Sequence, residues 1–132
     1  MSEYLLDTNI ASYIIKGHRA VRRRLAAIPM DEIAISSVTE GELRYGVARL
    51  PDNERLKTIV EAFLIRVNVH PWDSAAARCY GPLRAGLEMG WAGLANLDTM
   101  IAAHALARGS ILITHEKAIA RVKGLALEDW TK

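Results

Sequence analysis

Four short apolar runs constrain this chain more than any other feature: Tyr4-Leu5-Leu6, Ile33-Ala34-Ile35, Val67-Asn68-Val69 and Ile111-Leu112-Ile113. Each is too short to be a helix, and each is a nearly continuous β-branched or leucine run without a polar face, the pattern of a strand covered on both sides. The stretches between them are helical in period. Residues 10–16 and 20–28 are punctuated by Gly17 and Pro29, and Ser37 with Glu40 has capping-box spacing at the start of the next helix. That helix carries Leu43, Gly46, Val47 and Leu50 on one face until Pro51, and residues 53–66 repeat apolar positions at Leu56, Ile59, Val60, Phe63 and Leu64. Asp73 caps a helix reaching to about residue 89, stopped by Gly90, with Pro82 expected to kink or divide it. Residues 91–96 read as a loop, and residues 97–108 as a helix ended by Gly109. A short helix and an edge strand near residues 125–127 close the chain. Strands alternating with helices in this way give an α/β fold of three layers, α/β/α, around a central parallel sheet.

The sequence of 132 residues suits one domain spanning residues 1–132, and 51% hydrophobic with 24% charged residues is a composition that can bury a core. A single cysteine, Cys79, excludes a disulfide framework or a cysteine-based zinc cluster and reads as a small buried residue. The start of the chain lacks the pattern of a signal peptide, and no apolar run reaches the ~20 residues of a membrane span, so a cytoplasmic location is expected. The net charge of +2 does not by itself indicate nucleic acid. Its distribution is more informative, because Arg19, Arg22, Arg23 and Arg24 concentrate in six residues as either a solvated helix face or a phosphate-contacting patch.

In open parallel sheets the ligand crevice lies beyond the carboxyl ends of the strands. Four acids fall there. Asp7 directly follows the first strand, Glu42 lies in the first turns of the helix after the second, Asp98 begins the helix leading into the fourth, and Glu116 follows the fourth. Carboxylates gathered in one place repel, and near neutral pH they need protons or hard cations; an all-oxygen set of this kind selects Mg²⁺ or Mn²⁺ over zinc. Each acid also admits a purely structural role. Asp7 can cap the helix that starts near Ile10, Glu42 can complete a capping box with Thr39, Asp98 can complement a helix dipole, and Glu116 can be a solvated turn residue.

Three segments carry a resemblance: Leu5-Leu6-Asp7-Thr8-Asn9, then Ser36-Ser37-Val38-Thr39-Glu40-Gly41-Glu42-Leu43 with Tyr45-Gly46, then Asp98-Thr99-Met100-Ile101-Ala102-Ala103-His104-Ala105. In that order and at those separations the chain resembles the VapC-type PIN-domain toxins along essentially its whole length. The resemblance implies Mg²⁺- or Mn²⁺-dependent endonucleolytic cleavage of RNA. It maps the family's first acid to Asp7, its helix-borne glutamate to Glu42 and its third acid to Asp98. The family usually has Thr, one residue, then Asp or Asn after the last strand, where this chain has Thr114-His115-Glu116. Thr8, Asn9 and Thr114 match polar positions that orient the carboxylates or water. The resemblance also implies a VapB-like antitoxin partner, a homodimer formed through apolar helix faces, and an RNA substrate that in enterobacterial-type members is tRNA, with the anticodon loop of initiator tRNA as the expected target.

In such a mechanism the metal ions activate water, no side-chain nucleophile is needed, and Glu42 either ligates metal or orients the water. Arg19 to Arg24, Arg44 and Arg84 are candidates for holding the RNA backbone. Competing readings are a DNA nuclease or phosphatase using the same carboxylates, or a non-catalytic Mg²⁺-binding regulatory module. The last is disfavoured because Asp7 lacks an adjacent acid. His104 reads as a packed histidine and His115 as exposed; Trp72, Trp91 and Trp130 read as core or dimer contacts before base-stacking ones, and Tyr45 fits either use.

Overall fold

The computed structural model describes residues 3–90 and 95–132. Strand β1 (Tyr4–Leu6) leads into helices α1 (Thr8–Lys16) and α2 (Arg19–Ala26); a 3₁₀ turn (Met30–Glu32) precedes β2 (Ile33–Ser36). Helices α3 (Ser37–Ala48) and α4 (Glu54–Arg66) lead to β3 (Asn68–His70), and α5 (Ser74–Gly90) and α6 (Asn96–Arg108) lead to β4 (Ile111–Ile113). A 3₁₀ helix (Lys117–Arg121) and an edge strand β5 (Leu127–Glu128) follow. The five strands are hydrogen-bonded in the order β3-β2-β1-β4-β5, and all the pairs are parallel. The expected three-layer α/β/α arrangement is therefore present.

The two buried faces explain why the strands are continuously apolar. Successive side chains on a strand point to opposite faces. Leu6, Ile33, Ile35 and Ile113 pack on one side with Ile10, Ile14, Val60, Phe63 and Trp130, while Leu5, Ala34 and Leu112 pack on the other with Ile101, Ala102, Ala105 and Ile119. Each fully buried leucine or isoleucine contributes about 1.5–3 kcal/mol relative to exposure, so a one-residue slip of β1 would exchange both cores at once. The helix ends follow their caps. Gly17 and Gly109 end α1 and α6 in the left-handed conformation that glycine adopts without strain, and Asn53 and Asp73 cap α4 and α5.

Several expectations shift. The cap of α3 is Ser36, whose Oγ accepts from the Val38 N–H at 3.1 Å; Ser37 instead accepts from the Trp72 N–H, so the Ser37/Glu40 capping box does not form. Leu50 lies beyond the end of α3 and is exposed, since the helix stops before Pro51. The third strand begins at Asn68, one residue later than expected, and the last strand at Leu127. Helix α5 runs on through Pro82 undivided. Cys79 is only partly buried. Of the aromatics, Trp130 is fully buried and Trp72 donates its indole N–H to the Met100 carbonyl at 2.9 Å, both structural roles; Trp91 and the loop expected around it lie largely outside the described residues. No helix among the described residues is long and apolar enough to cross a membrane.

An open apolar groove of about 610 Å³ runs between α1, α2 and α4, lined by Ile14, Leu25, Ile28, Ile59 and Phe63, with Arg22 and Arg66 also on its walls.

Candidate active site

The parallel register sets the ends of β1, β2 and β4 side by side, because Leu6 is level with both Ile35 and Ile113. The chain leaving β1 is held there by the Asp7 N–H, which donates to the Ile113 carbonyl at 3.0 Å. Asp7 is 3% exposed and caps α1, its Oδ1 accepting from the Ile10 N–H at 2.9 Å. The capping role and the site role therefore coincide in one side chain. The buried Thr114 hydroxyl bonds the same carboxylate. Burial drives the Asp7 carboxyl up to about 6; the bonds from Thr114 and the Ile10 N–H work against that rise, and the charges of Asp98 and Glu116 add to it.

Asp98 stands in the first turn of α6, half-buried. Its carboxyl is pushed up by burial and then by the charges of Glu116 and Glu42. Helix α3 opens immediately after β2, and this brings Glu42 round to α1, where Thr8 Oγ1 donates to its carboxylate. Thr8 also lies 3.1 Å from the buried Thr39 hydroxyl. Glu42 thus bonds across helices to Thr8 and is not the capping partner of Thr39. Glu116 is exposed and caps the 3₁₀ helix by accepting from the Ala118 N–H at 3.1 Å, while its own N–H donates to Thr114 Oγ1 at 3.0 Å.

The four sequence-selected acids are thus linked electrostatically through Asp98, which feels Glu116 and Glu42 and acts with Glu116 on Asp7, and they come from separate segments of the chain. Among the described residues no ion pair is made to any of them. Nor do any three His, Cys, Asp or Glu side chains close into a ready-made cage there. The mutual repulsion of the acids and the separate anchoring of Glu42 on Thr8 and Glu116 on Ala118 hold the set open. Of the flanking polar residues, Thr8 bonds the Glu42 carboxylate and Thr114 that of Asp7. Asn9 is exposed, and its side chain makes no hydrogen bond among the described residues.

Two contributors were missed in the sequence. Thr39 is buried beneath the Thr8–Glu42 bond, and Ser36 both caps α3 and bonds the buried His104 Nδ1 at 2.8 Å. His104 is therefore the packed histidine expected, joining the helix that carries Asp98 to the cap of the helix that carries Glu42. Density of hydroxyls in Ser36-Ser37-Val38-Thr39 was the available signal. His115 is exposed, 2.9 Å from Asp129.

The basic residues divide. Arg22 donates to the Ile14 carbonyl and Arg24 pairs with Glu128; Arg44 is held by Glu40 and Glu61, and Arg84 by Glu88 and Tyr80. Arg19 and Arg23 are exposed and form no ion pair among the described residues.

A buried acid at a strand end, raised further by two neighbouring acids and lacking a paired cation among the described residues, is the centre of the candidate site. Comparison with known proteins shows the family. The model of the PIN domain matches residues 4–125. The chain is 38% identical over 132 residues to the tRNA(fMet)-specific endonuclease VapC of Shigella flexneri, covering 99% of this chain and 100% of that one. It is 35% identical over 132 residues to ribonuclease VapC2 of Rickettsia felis, covering 98% of each. The structure of DNA-bound VapBC from Salmonella typhimurium superimposes with a TM-score of 0.90 at 34% identity, covering 98% of this chain and 99% of that one. With the sheet, the strand-end acids and end-to-end relatives in agreement, this chain belongs to the PIN-domain family and, within it, to the VapC ribonucleases.

Proposed function

We propose that this chain is the toxin of a VapBC-type toxin–antitoxin pair, acting in the cytoplasm as an endoribonuclease that requires Mg²⁺ or Mn²⁺. The observation that carries the reading is the buried Asp7, raised to about 6 by burial and by the acids around it. A carboxylate is kept in such surroundings at a cost, and a divalent cation offsets it. The donor set fits: it is all oxygen, and it is open, as suits an ion that keeps several of its waters. Asp7 and Asp98 are the residues to hold the metal, with Glu42 and Glu116 as further ligands or as acceptors of water hydrogen bonds. When bound, the metal supplies an activated water and charge stabilisation at the phosphate. The chain's own groups do the rest. Thr114 and the Ile10 N–H fix Asp7, and Thr8, backed by Thr39, fixes Glu42, so the acids do not have to reorganise as the substrate arrives.

The substrate is RNA, in keeping with the ribonuclease relatives, and initiator tRNA follows from the relative named for tRNA(fMet). An anticodon loop is suitable because its unpaired bases can be splayed and read. The partner is a VapB-like antitoxin. The apolar groove between α1, α2 and α4 suits an amphipathic segment of it, with Arg22 and Arg66 available to an acidic flank. Two copies of the chain pair through apolar residues left exposed in one copy, among them Ile65 and Leu97.

The test supplies the purified chain with single-stranded RNA, duplex DNA and a phosphomonoester. RNA alone should be cut, chelator should abolish cleavage, and Mn²⁺ should restore it. Undiminished cutting in excess chelator would overturn the metal assignment. Sequencing RNA ends after brief induction should find one dominant cut in initiator tRNA; ends scattered over many RNAs would overturn that target.

A further inference from the structure

Tyr45 is the one large aromatic ring that the described fold leaves in solvent, at 65% exposure. The others are engaged: Trp130 is buried against Tyr4, Trp72 is hydrogen-bonded and stacked edge-on with Tyr80, and Tyr13 lies against His18. Tyr45 gains no burial energy where it is, yet it is held in place, because the Arg49 guanidinium sits 5.3 Å from its ring centre. Arg49, the C-cap of α3, follows Tyr45 by four residues, one helical turn, and makes no ion pair among the described residues. Its neighbour Arg44, by contrast, is neutralised by Glu40 and Glu61. A ring backed by an unpaired guanidinium is a stacking platform with a charge suited to a phosphate-bearing ligand.

The platform belongs to the helix that carries Glu42. Three residues of α-helix rise about 4.5 Å, so Tyr45 stands one step along α3 from that acid and on a nearby face. Side chains on a helix lean toward its N-terminus, so the Tyr45 ring covers the preceding turn, where Gly41 is its neighbour at four residues. Gly41 is exposed, and a Cβ there would meet nothing within 4 Å. Packing does not require a glycine at this position, although in a helix it costs about 0.5–1 kcal/mol relative to alanine. An incoming group that lies over Tyr45 from the acid side does require the space.

We propose that Tyr45 and Arg49, with the bare helix surface at Gly41, form a seat for one unpaired nucleobase of the RNA strand beside the phosphate that a cation at the acids would hold. The seat rests on the ribonuclease reading above and adds a substrate-binding element to it. Stacking takes any base, so the seat selects for an unpaired nucleotide at that position; its base sequence is read elsewhere.

The experiment measures binding apart from cutting. In the chain carrying Asp98→Asn, the affinity for a short fluorescent single-stranded RNA is titrated by anisotropy, alone and with Tyr45→Ala, Tyr45→Phe or Gly41→Met added. Tyr45→Ala should weaken binding about tenfold, the lower part of the range for one stacked base, and Tyr45→Phe should retain most of the affinity. Gly41→Met should weaken binding comparably while the melting temperature holds or rises. A set of the same RNA carrying one abasic nucleotide at successive positions should show one position whose loss weakens the Tyr45 chain but not the Tyr45→Ala chain, since two changes to one contact do not add. RNA bound by the Asp98→Asn chain and cut by the unmodified chain, with Tyr45→Ala indifferent or every abasic penalty unchanged, overturns the seat and leaves the ribonuclease reading standing. Loss of antitoxin binding with RNA binding intact overturns the seat in favour of a protein contact. An unmodified chain that neither binds nor cuts RNA overturns both.

Discussion

Strand β1 carries a carboxylate at each end, and the two are treated in opposite ways. Glu3 precedes the strand and Asp7 follows it. Burial would raise Glu3, but the hydrogen bonds from Arg108, His70 and Ser110 outweigh it and hold the carboxyl at about 2. Those bonds, at 2.9 Å from Arg108 Nε and 2.8 Å each from His70 and Ser110, fasten the start of β1 to α6, β3 and the approach to β4. Asp7, with two hydrogen bonds and two acids nearby, is pushed to about 6. A carboxylate used for structure is surrounded by donors; a carboxylate reserved for a ligand is left in debt to its surroundings.

If that contrast is right, the largest effect belongs to the acids that have no cation. Asp98→Asn and Asp7→Asn should each lower RNA cleavage about a thousandfold or more, the scale of losing a metal-held charge, while Glu3→Gln leaves the rate per folded molecule unchanged. Rates measured on RNA at saturating Mn²⁺ would check this. A Glu3→Gln chain as inactive as Asp98→Asn would break the contrast.

Glu116 tests the exposed margin of the site. Its carboxylate is one methylene longer than the family's usual aspartate and already caps a 3₁₀ helix, so Glu116→Gln should weaken metal affinity about 10–100-fold without ending chemistry. Raised Mn²⁺ should partly rescue Glu116→Gln and leave Asp98→Asn dead. A curve of rate against Mn²⁺ that overlays the unmodified chain would return Glu116 to a capping role.

Stability should separate the two ends of β1 with opposite signs. The folded carboxyl of Asp7 lies above its unfolded value near 4, so its ionisation destabilises the metal-free fold, fully so above about pH 6 and not at all below about pH 4. Asp7→Asn, which can still cap α1, should therefore stabilise the chain in chelator by about 2 kcal/mol near neutral pH and by little near pH 4. Denaturant titrations at the two pH values decide it.

The smallest effect is expected at Glu3, whose folded carboxyl lies below its unfolded value. Its contribution is present above about pH 4 and fades as the pH falls towards 2. Glu3→Gln should cost about 1–2 kcal/mol near neutral pH, the scale of a charge-assisted hydrogen bond in a half-exposed position. A Glu3→Gln chain more stable than the parent, or an Asp7→Asn chain less stable, would reverse the lesson drawn from β1.

How far the sequence could be read varied by element. Strands β1, β2 and β4 were legible because sheets buried on both faces tolerate only apolar residues, and Asp7 stood out as the first polar residue after such a run. The cap of α3 was misread by one residue because Ser36 and Ser37 are adjacent hydroxyls, and only the path of the backbone decides which faces the open N–H groups. Leu50 kept the helical period but fell beyond the last turn, where period no longer implies burial. Glu42 was legible from its place in the first turns after β2 and again from the resemblance; its bond to Thr8 depends on how α1 and α3 cross.

The sequence by itself determined the alternation of strand and helix, the parallel sheet and the identity of the acids, since these follow from local periodicity and from residue type. Tertiary structure alone decided which acid is buried and raised, which is exposed, and which arginines are already spent on Glu40, Glu61, Glu88 and Glu128. Burial and pairing are properties of distances between residues far apart in the chain. Two carboxylates four positions apart, flanking one strand, can therefore be moved in opposite directions, Glu3 down to about 2 and Asp7 up to about 6.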